Sequence, residues 1–186
     1  MKSLNELADV RRLLVQRGHE RYDGEPVSHL NHACQAATLA QRAGAADALI
    51  AAALLHDIGH LVTGHSGTPS ADGIDDRHEV VAAHLLAPWL PLACVAPIAG
   101  HVLAKRCLAV NPNYLKALSE DSRRSLTLQG GPMNEAERLN FLSRPFARES
   151  MRLRHWDDAA KMPHYPTLPF AQLWASVERC AQSLQT

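Results

Sequence analysis

The sequence predicts an all-α domain. Aromatic residues make up 5% of the chain against a hydrophobic share of 46%. The core must therefore be built from Ala, Leu and Val, side chains suited to packed helices. Apolar residues recur at helical spacing in segment after segment, and no useful stretch alternates with the period of a strand. One domain over residues 1–186 accounts for the whole length.

Leu4, Leu7, Val10, Leu13 and Leu14 share one helical face and open the chain with an amphipathic helix that stops near Gly18. Tyr22-Asp23-Gly24-Glu25-Pro26 reads as a turn. Ser28 is placed to cap an Ala-rich helix from His29 to Arg42, which Gly44 ends. Asp47 then caps Ala48–His56, a segment apolar all round and so buried. From Gly59 to Asp76 no periodicity is visible, and a loop of that length is a candidate lid or binding loop. Helices are expected again at Arg77–Leu86 and from Val95 through Leu108, with Pro88, Pro91 and Asn111-Pro112 as breaks. Short helical pieces follow, then a Gly130-Gly131-Pro132 break and a helix from about Pro145 to Lys161. Pro163, Pro166 and Pro169 make an extended link to a last helix, Phe170–Leu184.

Lys plus Arg (19) equals Asp plus Glu (19), which gives no global field to draw in nucleic acid or an anionic membrane. Cys34, Cys94, Cys107 and Cys180 are scattered without a C-x-x-C pair, so zinc-ribbon and thioredoxin-type chemistry are excluded and buried reduced thiols expected. The N-terminus lacks an apolar signal core, and the run containing Ile50–Leu55 is far short of a membrane span. A cytoplasmic protein is expected, with no nucleic-acid or membrane partner and no specified oligomeric state.

The chemistry is carried by histidine, of which there are 11. His56-Asp57 ends a fully apolar helix, where an imidazole and a carboxylate are costly to desolvate without a cation. A metal supplies one, and this donor pair suits iron, manganese or zinc. Alone, the dipeptide fits a hydrogen-bonded core pair equally well. His32 on the Ala-rich helix, His78 after the loop, His101 in an apolar stretch and Asp157 after Trp156 change the balance, since each occupies a different predicted helix among apolar neighbours. Lys105 lies one turn beyond His101, and Arg154 one turn before Asp157; both are phased with candidate ligands and suit an anionic group beside them. Arg106 and Arg152 read as a solvated charged face.

The order His32, His56-Asp57, Asp157, with His78 and His101 added, resembles the two-metal branch of the HD-domain superfamily. Tyr22-Asp23-Gly24-Glu25, Leu30-Asn31-His32, Lys105-Arg106, Tyr114 to Ser119, Ser122-Arg123, Gln129-Gly-Gly-Pro-Met133 and Arg154-His-Trp-Asp157 narrow the resemblance to the mixed-valent diiron oxygenases that break down 1-hydroxyphosphonates. It spans roughly residues 20–160. The resemblance implies an HD-domain helical bundle with a buried dinuclear Fe(II)/Fe(III) site. His32, His56 and Asp157 would bind one iron, His78 and His101 the other, and Asp57 would bridge them. It further implies that Tyr22 occupies an iron position until substrate displaces it. Glu25 would receive a substrate amine, and His60, Lys105, Ser122 and Arg154 would hold the phosphonate. The implied reaction is O2-dependent C–P cleavage of 2-amino-1-hydroxyethylphosphonate or its N-trimethyl analogue, giving glycine or glycine betaine and phosphate. The main rival is a metal-dependent HD phosphohydrolase acting on nucleotides or other phosphoesters, in which the metals activate water. A third reading is a metal-stabilised sensor module without turnover.

Overall fold

The computed structural model describes residues 4–22, 24–63 and 68–184. Among them the chain is helical throughout, and its single β-bridge pairs Arg21 with Ser28. The helices are α1 (Leu7–Arg17), α2 (His29–Arg42), α3 (Asp47–Leu55), α4 (Ile58–Thr63), α5 (His78–Leu86), α6 (Leu92–Leu108), α7 (Pro112–Ala117), α8 (Glu120–Leu128), α9 (Glu135–Leu142), α10 (Ala147–Ala159) and α11 (Phe170–Gln182).

α3 is the central rod. Leu49 to Leu55 are all buried, because α2, α6, α10 and α11 pack around it. α2 packs against it, and its buried Ala33, Ala36, Ala37 and Ala40 have side chains small enough to let neighbouring helices approach closely. The Ser28 hydroxyl accepts from the Asn31 N–H and fixes the first turn of α2. α10 lies across α6 and α2 and so faces the ends of three site-bearing helices. The main core joins α1, α2, α3, α5, α6 and α11 through residues such as Val10, Leu54, Leu86, Ile98, Leu173 and Val177.

The structure corrects one expectation about the segment after His56-Asp57. Ile58–Thr63 forms α4, and Pro69–Asp72 a short 3-10 turn, where a loop from Gly59 to Asp76 was expected. Gly59 hides α4 from the apolar periodicity of the sequence; residues 64–67 of that loop, and Asp23 of the Tyr22–Pro26 turn, lie outside the described residues. Gly59 is there for contact: a Cβ on it would sit 2.1 Å from the His78 carbonyl oxygen, so its absence lets α4 lie against the start of α5. Gly100 does the same between α6 and α10, where a Cβ would stand 2.3 Å from Ser150 Oγ. Arg106 is likewise not a solvated residue. It donates to the Gly131 carbonyl at 2.9 Å and pairs with Glu137 at 2.7 Å, which fastens the Gly130-Gly131 turn to α6.

All four cysteines are buried and free. Among the described residues no helix is long and apolar enough to cross a membrane.

Candidate metal centre and adjoining anion pocket

Six side chains from five places in the chain meet in the core. His32 comes from the first turn of α2, His56 and Asp57 from the α3–α4 junction, His78 from the start of α5, His101 from the middle of α6 and Asp157 from the end of α10. None exceeds 8% exposure. Asp57 divides them into two groups. Its Oδ2 lies 3.5 Å from His32 Nε2 and 3.2 Å from His56 Nε2, while its Oδ1 lies 3.4 Å from His78 Nε2 and 3.5 Å from His101 Nε2. Asp157 Oδ1 joins the first group, 3.4 Å from His32 Nε2.

The hydrogen-bond directions settle what these rings offer. His32 Nδ1 donates to the Ala160 carbonyl, His56 Nδ1 to Ala53 and His101 Nδ1 to Ile98, at 3.0, 3.0 and 2.7 Å. His78 Nδ1 donates to Asp76 at 3.0 Å. A neutral imidazole that donates from Nδ1 carries its lone pair on Nε2. Yet His32 Nε2 stands 3.2 Å from His56 Nε2, and His78 Nε2 stands 3.2 Å from His101 Nε2. Two facing lone pairs at that distance repel unless a cation lies between them. Asp57 Oδ1 and Asp157 Oδ1 are buried without a hydrogen-bond partner among the described residues, so carboxylate charge is equally unanswered. Imidazole and carboxylate donors around each of two points are what a divalent first-row transition metal binds. Burial opposes charge on both His56 and Asp57. The carboxylates nonetheless push the His56 pKa up to about 10, and the imidazoles hold Asp57 well below the carboxylate range. The cluster demands positive charge, as bound protons or as metal.

Around the cluster stands a polar shell. Asp76 accepts from His60 Nδ1 at 2.7 Å as well as from His78, and the His60 and His78 rings stack at 4.0 Å. Carboxylate support of a ligand imidazole fixes its tautomer and orientation. Arg77, between Asp76 and His78, takes a left-handed φ of 50°, a strained conformation that delivers both neighbours to the site. The Tyr22 ring stacks on His32 at 4.1 Å, and its hydroxyl donates to Asp57 Oδ2 at 2.6 Å.

On the open side lies a cavity of about 40 Å³ lined by residues including Tyr22, His60, Lys105, Ser122, Ser125 and Arg154. Lys105 is 3% exposed, and its ammonium donates to Ser125 Oγ at 2.8 Å. Burial, reinforced by Arg154, pulls its pKa down to about 7. Arg154 is held by Asp157 at 2.7 Å and by Asp158, and its Nε donates to the Tyr114 hydroxyl at 3.1 Å. Its guanidinium thus spends both terminal nitrogens on carboxylates and reaches Ser122 Oγ at 3.4 Å. Asp157 faces the cluster, whereas Asp158 turns to Arg154 and Tyr114. Glu25 pairs with Lys161 at 3.1 Å.

Sequence reasoning missed Asp76, Ser125 and Lys161. The Asp76-Arg77-His78 spacing is a usable signal for the first, since a carboxylate two residues before a ligand histidine can reach its Nδ1. Ser125 and Lys161 carry no such signal, because their positions depend on how α8 and the end of α10 meet.

Residues 29–109 match the family model described as HD domain. Over 172 residues the chain is 42% identical to hydroxymethylphosphonate dioxygenase from Gimesia maris, covering 91% of this chain and 85% of that protein. It is 39% identical over 166 residues to the glycine-betaine-forming [1-hydroxy-2-(trimethylamino)ethyl]phosphonate dioxygenase of Leisingera caerulea, covering 88% and 84%. An uncharacterized protein of Acanthamoeba polyphaga mimivirus is 36% identical over 153 residues, covering 81% and 70%.

Proposed function

The chain belongs to the HD-domain phosphonate dioxygenases, and from that membership we propose that it cleaves the C–P bond of a 1-hydroxyphosphonate with O2 at a buried two-iron centre. The observation that carries the reading is the pair of donor groups split by Asp57, beside a cavity with a buried ammonium. In the balanced reaction, R–CH(OH)–PO3²⁻ and O2 give R–COO⁻, HPO4²⁻ and H⁺. One C–H and the C–P bond break, a C–O and a P–O bond form, and O2 accepts the four electrons.

His32, His56 and Asp157 would hold one ion, His78 and His101 the other, with Asp57 shared. The chemistry of the donor set fits iron, and a mixed-valent Fe(II)/Fe(III) pair would supply the one-electron steps that O2 requires. The chain's own residues do the rest. Lys105 offers its ammonium to a phosphonate oxygen, with the Ser122 hydroxyl and the Arg154 edge beside it. His60, oriented by Asp76, presents its imidazole to the same cavity. Tyr22 covers Asp57 Oδ2 and must yield that place when substrate enters. The free, buried thiols fit a reducing compartment, and we place the enzyme in the cytoplasm.

The test is to supply iron-loaded protein with a panel of 1-hydroxyphosphonates, with and without O2, and follow phosphate and the carboxylate. Oxygen-dependent, equimolar release of both is expected. Equal phosphate release under nitrogen would identify a hydrolase instead.

A further inference from the structure

The relatives differ in what the hydroxyphosphonate carbon carries, and in this chain one ion pair bears on that choice. Lys161, just beyond α10, extends its ammonium to Glu25 Oε1 at 3.1 Å, Ser122 Oγ at 3.1 Å and Ser119 Oγ at 3.3 Å. The ammonium lies 5.9 Å from the centre of the Tyr22 ring. Tyr22 and Ser122 both line the cavity, so a chain-supplied cation stands immediately behind its wall. Both members of the pair are largely buried, Lys161 at 13% and Glu25 at 12% side-chain exposure.

The charge balance around the cavity follows. Arg154 is matched by Asp157 and Asp158, and Lys161 by Glu25. Lys105 makes no ion pair among the described residues and is left for an anion. Asp76 is engaged by two imidazoles, Asp121 by Ser70 and Arg124, and Asp75 is solvent-exposed. Glu25 adjoins the cavity-lining Tyr22, whose carbonyl accepts from its N–H at 2.7 Å, and an ammonium already occupies its carboxylate.

Resting on the phosphonate dioxygenase reading, we propose that Lys161 determines specificity: by holding Glu25 it fits the site to 1-hydroxyphosphonates whose carbon bears no cationic group, with hydroxymethylphosphonate as the smallest. A cationic head group enters only by taking Glu25 from Lys161 and then faces a buried like charge. The product from hydroxymethylphosphonate is formate, with phosphate.

The experiment compares kcat/KM for hydroxymethylphosphonate and 2-amino-1-hydroxyethylphosphonate in iron-loaded wild type, Lys161→Met, Lys161→Arg and Glu25→Gln. Wild type is expected to favour the hydroxymethyl substrate by about tenfold or more, the worth of one charge-assisted hydrogen bond. Lys161→Met should shift the ratio toward the amino substrate by a similar factor, mainly through its KM, while Lys161→Arg keeps the wild-type ratio. A wild-type preference for the amino substrate overturns the proposal, and that reading survives even if Lys161→Met does not fold. A wild-type ratio in folded Lys161→Met overturns it too, because Lys161 would then not be keeping Glu25 from the head group. Failure to turn over either substrate with O2 strikes the proposed function; turnover with a cationic preference strikes this proposal alone.

Discussion

The Tyr22 hydroxyl donates a 2.6 Å hydrogen bond to Asp57 Oδ2, the oxygen that faces His32 and His56. A buried carboxylate oxygen that also faces two imidazoles gains a partner from a residue 35 positions earlier in the chain. Tyr22→Phe should lower the unfolding free energy of the metal-free protein by about 2 kcal/mol, as expected for a hydrogen bond to a charged acceptor. Denaturant titration checks it. The metal-loaded variant should bind substrate more tightly, since no hydroxyl has to be displaced, and an unchanged KM would show that Tyr22 does not compete with substrate.

His78→Ala removes an imidazole from the second donor group and leaves His32, His56, Asp57 and Asp157 together. Elemental analysis should find bound iron reduced from about two to about one per chain, with turnover lost and far-UV circular dichroism preserved. Two equivalents of iron in an active variant would contradict the division made by Asp57.

Gly59→Ala tests the packing that brings α4 to α5. A methyl group cannot stand 2.1 Å from the His78 carbonyl, so α5 must shift. The expected cost is about 1–3 kcal/mol, together with weakened metal binding at the His78–His101 group. Metal affinity equal to wild type would show that the ligands tolerate the displacement.

Lys105 has a pKa lowered to about 7, by burial first and by Arg154 next. The ammonium is therefore charged below that value and loses its charge as pH rises through it. kcat/KM for a phosphonate should fall on the alkaline side of about pH 7. Lys105→Arg, whose charge persists, should move that limb upward, whereas Lys105→Met should erase it and lower the plateau by about tenfold to a hundredfold. A limb unchanged in Lys105→Met would belong to another group. For stability the sign is opposite: the folded pKa lies below the unfolded value of 10.5, so deprotonation relieves the burial cost and stability rises between about pH 7 and 10.5.

Much of this was legible in the sequence. α2 and the apolar α3 follow directly from periodicity and the Ser28 cap, and His32 and His56 are conspicuous because they sit among alanines and leucines. Their convergence with His101 and Asp157 needed a family resemblance, since spacing along the chain says nothing about distances across it. α4 was hidden by Gly59, a residue that usually ends a helix and here permits contact with α5. Arg154 and Glu25 were recognised as charged groups near the site, but their partners Asp158 and Lys161 were not. An ion pair between residues 136 positions apart depends on the tertiary fold and leaves no local pattern.

The most direct test of the proposed oxygenase chemistry is turnover of a 1-hydroxyphosphonate under ¹⁸O2 in ordinary water, read by mass spectrometry of the carboxylate. One labelled oxygen per carboxylate is predicted, because the carbon keeps its hydroxyl oxygen and gains its second from O2. A carboxylate without label would contradict the account.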